Sequence, residues 1–586
     1  MQPTQNQEKI LGLLAGLYGE ATGRQTYERL IDRLERYLEQ PIIGEAHVRV
    51  PRLSQRDALL ITYGDQVRDP GFPPLHTLAD LCSSYLVGLV SGIHLLPFYP
   101  YSSDDGFSVI DYRAVDPELG SWKDVGRLGS HFRLMFDAVI NHVSVQSDWF
   151  RGFLEGDPRF RDYFIVVDGD PDLSQVVRPR ALPLLTSFQT ATADERVWTT
   201  FSPDQADLNY SNPQVLLEIV DTLLFYARKG AEFIRLDAIA YLWKEIGTSC
   251  IHLPQTHQVI QLFRAVLDEC APQVLLVTET NVPHEDNVAY FGNGANEAQM
   301  VYNFALPPLV LQSILTEDAG ILTRWAQGLS LPSKQVTFFN FLASHDGIGI
   351  NPIRGILPEG AIDRLVERTL EHGGLVSYKS NPDGTQSPYE LNISYFDALS
   401  DPAAELPVEE QVDRFMAAHG IMLSLIGVPG VYFHSLFGSR GWTEGAAQTG
   451  RSRTINRQKL VREELEGELA APGSRRRLVF DRMRDMLRVR TTFPAFHPCG
   501  EQHVLTCGEA IFALLRRPPQ GGSAIICLTN VSAQAQRVSI DPQLALDLDL
   551  PGRLCADRIS GRVYTLDGSA PLTLEPYQTL WLEISE

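Results

Sequence analysis

Three carboxylates and two basic residues stand at the carboxyl ends of apolar runs. Asp237 closes Ala231-Glu-Phe-Ile-Arg-Leu-Asp237, Glu279 closes Val274-Leu-Leu-Val-Thr-Glu279, and Asp346 follows Phe341-Leu-Ala-Ser-His-Asp346. His142 closes Phe136-Asp-Ala-Val-Ile-Asn-His142, and Arg235 stands two residues before Asp237. If the first run is a strand, alternation puts Arg235 and Asp237 on one side, so a fixed cation adjoins a carboxylate. That cation favours the ionised form a nucleophile needs, while negative neighbours favour a protonated Glu279. Two carboxyls with unequal protonation suit a retaining displacement at a glycosidic carbon, with one nucleophile and one acid/base about 5 Å apart. A lone R-x-D is more often a structural ion pair; three acids at the ends of apolar runs in one chain shift the reading toward a site.

Acids from separate strands converge only if the strands run parallel, because parallel sheets and barrels build their sites at the carboxyl end. Eight apolar runs fit such strands: 58–63, 93–97, 134–140, 232–236, 274–278, 300–304, 336–341 and 430–433. With amphipathic stretches between them, they predict a (β/α)8 barrel of the α/β class. The expected order is a helical extension over 1–55, the first part of the barrel over 56–142, an inserted domain over 143–210 and the barrel again over 211–347. A second insertion over 348–405, the barrel end over 406–490 and a C-terminal β-sandwich over 491–586 complete it. The extension carries helical spacing (Ile10, Leu11, Leu14, Leu17, then Leu30, Ile31, Leu34, Leu38), which predicts a helical pair that caps another layer or serves oligomerisation. The second insertion contains Asn381-Pro-Asp-Gly, a turn composition that predicts a loop. Past 490 the runs 510–515, 524–529 and 579–582 read as β without helices.

Composition bounds the partners. The 586 residues, 44% hydrophobic and 21% charged, are those of a soluble globular chain of several domains. A formal net charge of −22 argues against nucleic acid or an anionic membrane surface as partner. Seven scattered cysteines without a C-x-x-C pair fit free thiols in a reducing compartment. The polar start Met1-Gln-Pro-Thr-Gln-Asn-Gln lacks the regions of a signal peptide, and a cytoplasmic protein is expected.

Four of these runs resemble a known family. Asp137-Ala-Val-Ile-Asn-His142, Ile234-Arg-Leu-Asp237, Thr278-Glu279 and Ser344-His-Asp346 match, in order, the four motifs of the α-amylase superfamily (glycoside hydrolase family 13). Leu95-Leu-Pro-Phe-Tyr-Pro, Asp104-Asp-Gly-Phe107, Gly247-Thr-Ser-Cys250, Phe304-Ala-Leu-Pro-Pro308 and Ile455-Asn-Arg457 are similar to its sucrose-phosphorylase subfamily. The resemblance implies Asp237 as nucleophile, Glu279 as general acid/base and Asp346 as transition-state stabiliser. It implies that Asp104, His142, Arg235, His345 and Arg457 line a glucose subsite, with Phe107 and Tyr241 giving surface against the ring. Asn141 is a calcium ligand in many amylases, but the subfamily does without that metal, so neither metal nor cofactor is expected.

A glucosyl-aspartate is opened by water or by another acceptor, and phosphate needs positive charge and restricted water. Arg178-Pro-Arg180 matches the subfamily's loop that reaches the acceptor site, which favours phosphorolysis. The run 178–186, Thr278-Glu-Thr-Asn-Val-Pro-His284, Asn381-Pro-Asp-Gly and the helical extension look like the glucosylglycerate phosphorylases, whose acceptor is the anion D-glycerate. Arg180 is the first candidate for its carboxylate, with Arg178, Lys379 and Tyr389 also on the acceptor or phosphate side. Glu390 stands where sucrose phosphorylases carry glutamine, an awkward charge beside an anion unless a loop cation pairs with it. The reaction implied is phosphorolysis of 2-O-α-D-glucosyl-D-glycerate to α-D-glucose 1-phosphate and D-glycerate. Sucrose phosphorylase, α-glucosidase or transglucosidase, and a non-catalytic scaffold are the alternatives, and a homodimer is among the expected states.

Overall fold

The computed structural model describes residues 4–39, 53–381, 384–538, 553–566 and 571–584. Its centre is a closed ring of eight parallel strands: β1 (Leu59–Thr62), β2 (Gly92–Leu95), β3 (Arg133–Ala138), β4 (Ala231–Leu236), β5 (Leu275–Thr278), β6 (Met300–Tyr302), β7 (Thr337–Asn340) and β8 (Val428–Tyr432). Neighbours in sequence are neighbours in the ring, and β8 closes on β1 through Leu59↔Gly430. All eight expected runs are therefore barrel strands. They read as continuous apolar runs because both faces are covered, by the barrel interior and by helices outside. Each fully buried Leu, Ile, Val or Phe contributes about 1.5–3 kcal/mol relative to exposure.

The extension forms two antiparallel helices, α1 (Gln5–Tyr18) and α2 (Glu20–Glu39), lying on α3 (Pro213–Arg228) and α4 (Pro254–Cys270). Thr4 and Gln7 make a reciprocal capping box that starts α1. At the crossing of the pair, a Cβ on Gly23 would lie 2.7 Å from the Ala15 backbone, so only glycine fits there. Ile10, Leu14, Leu30 and Leu34 are buried in the seam. Tyr18 donates to the Tyr210 carbonyl at 2.9 Å, Asn6 to the Ala265 carbonyl at 2.7 Å, and the Arg228 guanidinium lies 4.4 Å from the Tyr37 ring centre. These contacts lay the pair as a cap over α3, α4 and the chain around Tyr210.

The segment after β3 carries a helix (Asp148–Leu154) and a hairpin (Leu185–Gln189 with Asp194–Trp198). Past β7 the structure departs from a loop. Leu375–Ser380 and Gln386–Asn392 pair as an antiparallel hairpin, with Ile348–Gly349 as a third strand. Pro382 and Asp383, the middle of the expected turn, lie outside the described residues. The hairpin has no apolar run to announce it: Leu375–Ser380 is exposed to half-buried throughout, and the buried end of Gln386–Asn392 is largely polar, with Glu390 and Asn392 flanking Leu391.

The C-terminal part contains a six-stranded antiparallel sheet and a two-stranded one. In Ile511–Arg517, alternate residues face opposite ways: Phe512 and Leu514 join the barrel-side core, while Ile511, Ala513 and Leu515 pack with Val538 and Leu574 of the smaller sheet. Among the described residues, no helix is long and apolar enough to cross a membrane.

Candidate active site

Asp237 is the first residue beyond β4, and its N–H donates to the Ala138 carbonyl at 3.2 Å. The chain then turns through Ala238 in the left-handed region (φ 50°), which aims the Ala238 N–H at Glu279 Oε2, 3.1 Å away. Asp104 and Asp105, on the loop after β2, also have positive φ, 53° and 50°. Such conformations cost on the order of 1 kcal/mol each for residues bearing a Cβ, and they persist where surrounding contacts over-determine them. Here those contacts are the ion pairs of Arg457 with Asp104 (3.7 Å) and with Asp105.

One pocket at the carboxyl end of the barrel collects Asp237, Glu279 and Asp346, with Asp104, Phe107, His142, Tyr241 and His345 around them. Arg180 and Tyr389 line the same pocket. Arg235 and Arg457 lie buried behind the wall. Arg235 Nη1 is 2.8 Å from Asp237 Oδ1 and Nη2 is 3.8 Å from Glu279 Oε2, so one guanidinium serves both acids. Arg457 donates from Nε to the His345 carbonyl at 2.8 Å and reaches Asp346 at 3.4 Å. The Phe107 ring stacks on His345, with centroids 4.8 Å apart and planes at 5°. His142 Nε2 faces the Phe107 carbonyl at 2.9 Å, which fixes both the ring and the loop. Burial lowers the pKa of His142 and pushes His345 well below the usual range, so both imidazoles are neutral donors and acceptors.

The Arg235 guanidinium does not belong to Asp237 alone. Burial raises Asp237 to about 8, against Arg235, and Glu279, Asp137 and Asp346 push the same way. Glu279 is also raised, by burial and then by Asp346, with Arg235 opposing. Arg235 does not hold Asp237 fully charged because Nη1 also pairs with Asp137, which is 0% exposed. Asp237 and Glu279 therefore titrate as a coupled pair, both raised by burial and by the neighbouring carboxylates. The nearer guanidinium contact places the charge on Asp237 and the proton on Glu279. Burial works to raise Asp346 as well, but Arg453, His345, Arg457 and Arg235 together keep it well below the usual carboxylate range.

Three residues expected on the acceptor side are not in the pocket lining. The Arg178 guanidinium folds back onto the Leu182 carbonyl of its own loop. Lys379 sits on the hairpin opposite Ser387, where burial and Arg354 lower its pKa. Glu390 is buried (2% exposed) and accepts a fork from Arg453, Nε to Oε2 and Nη2 to Oε1, both at 3.0 Å. That resolves its awkward charge. Arg453 was not singled out from sequence, yet its Nη1 is 2.6 Å from Asp346 Oδ1 and it lines the pocket. Phe201, Gln205 and Asn281 also line it and were likewise missed. Two arginines in Arg451-Ser-Arg453 give no local sign of which turns inward.

The amylase calcium position can be tested on its donors. Lys244 Nζ lies 2.7 Å from Asn141 Oδ1 and 2.6 Å from Asp207 Oδ2, and its side chain is 3% exposed. An ammonium already neutralises the oxygens a divalent ion would need, so these residues do not fit a metal. Lys244 instead ties the inserted segment, through Asp207, to the loop that carries His142.

The α-amylase catalytic domain family model matches residues 84–345. A glucosylglycerate phosphorylase from Spirochaeta thermophila is 50% identical, over 97% of this chain and 99% of its own length. One from Escherichia coli K12 is 46% identical, over 98% of this chain and 100% of its own. The crystal structure of a sucrose 6F-phosphate phosphorylase from Thermoanaerobacter thermosaccharolyticum superposes with a TM-score of 0.71 at 25% identity, covering 83% of this chain and 96% of that one. The chain belongs to the glucosylglycerate phosphorylase family, within the α-amylase superfamily.

Proposed function

We propose that this chain is a retaining glycoside phosphorylase that converts 2-O-α-D-glucosyl-D-glycerate and phosphate to α-D-glucose 1-phosphate and D-glycerate. The observation that carries the reading is the buried Asp237/Glu279 pair on one guanidinium, with Asp346 held ionised beside it. Asp237 attacks the anomeric carbon as Glu279 gives its proton to the departing glycerate oxygen, leaving a glucosyl-aspartate and a Glu279 carboxylate. Phosphate then attacks the same carbon, Asp237 leaves, and Glu279 takes up the proton that the phosphate gives up. Two inversions restore the α configuration. The ionised Asp346 stabilises positive charge on the ring during both steps. Asp104, His142 and His345 hold the glucosyl hydroxyls, with Phe107 and Tyr241 against the ring, and Arg457 behind the wall positions Asp104, His345 and Asp346.

Arg180 selects the anions. It lines the pocket and its nearest acid, Asp104, is 3.8 Å away, so its N–H groups are available to a glycerate carboxylate or a phosphate. Arg453 is committed to Glu390 and Asp346 and contributes structure more than free charge. A panel of phosphorolysis assays on glucosylglycerate, sucrose, glucosylglycerol and sucrose 6′-phosphate, read as glucose 1-phosphate, tests the proposal. Glucosylglycerate is expected to be turned over fastest. Faster turnover of sucrose would move the assignment to sucrose phosphorylase, and release of glucose without phosphate dependence would make the enzyme a glucosidase.

A further inference from the structure

Behind the pocket a chain of buried polar groups leads away from Asp237. Arg235 Nη1 bridges Asp237 Oδ1, at 2.8 Å, and Asp137 Oδ1. Asp137 Oδ2 is 2.7 Å from His94 Nε2, and His94 Nδ1 is 3.3 Å from the Tyr302 hydroxyl. His94 and Asp137 are both 0% exposed, and neither lines the pocket. His94 sits inside the apolar strand β2, where a histidine is unusual unless both ring nitrogens are satisfied.

We propose that His94 is a positioning residue for the nucleophile: by donating to Asp137 it sets how much of the Arg235 guanidinium is left for Asp237. The proposal rests on the reading of Asp237 as the nucleophile.

An ionised Asp137 only accepts, so His94 Nε2 carries the hydrogen and Nδ1 accepts from Tyr302. Burial keeps the imidazole neutral, against the pull of Asp137. The groups facing this chain are Asp137 from β3, Arg235 from β4, Tyr302 from β6, and, beyond Arg235, Asp237, Glu279 and Asp346. Tyr99 reaches only the Asp137 carbonyl, at 3.2 Å. Without the His94 donor, the fully buried Asp137 keeps Arg235 as the cation within reach. The guanidinium is then drawn toward Asp137, and Asp237 becomes a weaker acid and a slower nucleophile.

The test compares His94→Leu with His94→Gln in the full chain; glutamine keeps an N–H toward Asp137. His94→Leu is expected to move the acidic limb of kcat/KM for glucosylglycerate up by about one pH unit and to slow glucosyl-enzyme formation about tenfold, as one pH unit is a tenfold change in the ionised fraction. KM for phosphate stays within about twofold, and His94→Gln returns the limb toward wild type. An unmoved limb in His94→Leu, or equal shifts in both variants, overturns the proposal. Nitrogen-15 NMR of labelled histidine in the wild-type enzyme tests it without substitution: a neutral Nε2–H tautomer from pH 5 to 9 is expected, and an Nδ1–H tautomer overturns it. An Asp237→Asn enzyme that keeps its turnover would refute the reading of the nucleophile on which the proposal stands, whereas an unmoved limb in His94→Leu overturns the proposal alone.

Discussion

Replacing Arg180 with glutamine separates charge recognition from the rest of the acceptor site. Its side chain is 30% exposed and its nearest acid, Asp104, is 3.8 Å off, so most of its hydrogen-bonding capacity is open to a ligand. A hydrogen bond between charged groups contributes about 1.5–3 kcal/mol, and partial solvent access places this one in the lower half, about 1.5–2 kcal/mol. At 1.4 kcal/mol per decade, that is a loss of about 10–30-fold. The assay is transfer from α-D-glucosyl fluoride, a neutral donor that keeps phosphate out of the measurement, to D-glycerate and to glycerol. Arg180→Gln is expected to lose about 10–30-fold in kcat/KM for D-glycerate and less than threefold for glycerol. Arg178→Gln, whose guanidinium is turned to the Leu182 carbonyl, is expected to leave both within about twofold. Equal losses for the two acceptors, or none for glycerate, would refute the assignment of Arg180 as the anion's partner.

Three further outcomes follow from the same geometry. The Asp237/Glu279 pair loses its proton as pH rises through about 8, so kcat/KM for glucosylglycerate falls on that alkaline limb. Glu279→Gln removes the limb, and added azide restores turnover by giving α-glucosyl azide; a Glu279→Gln enzyme that keeps the limb would contradict the pairing. Lys244→Met leaves the Asp207 carboxylate buried without its cation, a loss of about 3–5 kcal/mol that lowers the thermal midpoint. Adding Asp207→Asn recovers part of it, and an unchanged midpoint in Lys244→Met would refute the tie. Glu390→Gln presents an amide N–H₂ to the Arg453 fork and frees that guanidinium from one of its two acids. The expected result is a KM change for glycerate and phosphate with the glucosylation rate within about threefold, and a selective fall in that rate would place Glu390's effect on Asp346 instead.

The barrel was readable because strands buried on both faces are continuous apolar runs, and polar residues at their carboxyl ends stand out against them. That is why Asp237, Glu279, Asp346 and His142 were visible one motif at a time. The hairpin from 375 to 392 was not, since neither of its faces is apolar enough to show period-two alternation. Arg453 escaped for a different reason: Glu390 called for a cation, but the one that pairs with it lies 63 positions away, and only the fold brings the two together. His94 carried a signal that went unused, a lone imidazole within Gly92-Ile-His-Leu95. The strength of the Arg235 hold on Asp237 was overestimated because Arg235 was credited to it alone, whereas Asp137, in register with Arg235 on the neighbouring strand, takes a share.

The central claim is a covalent glucosyl ester on Asp237. Incubation with 5-fluoro-α-D-glucosyl fluoride, which slows breakdown of such an ester, followed by proteolysis and mass spectrometry of the peptides, reads it directly. The account predicts one added fluoroglucosyl mass on the peptide containing Asp237, released on addition of phosphate. Label on Glu279 or Asp346, or full turnover with no labelled peptide, would contradict it.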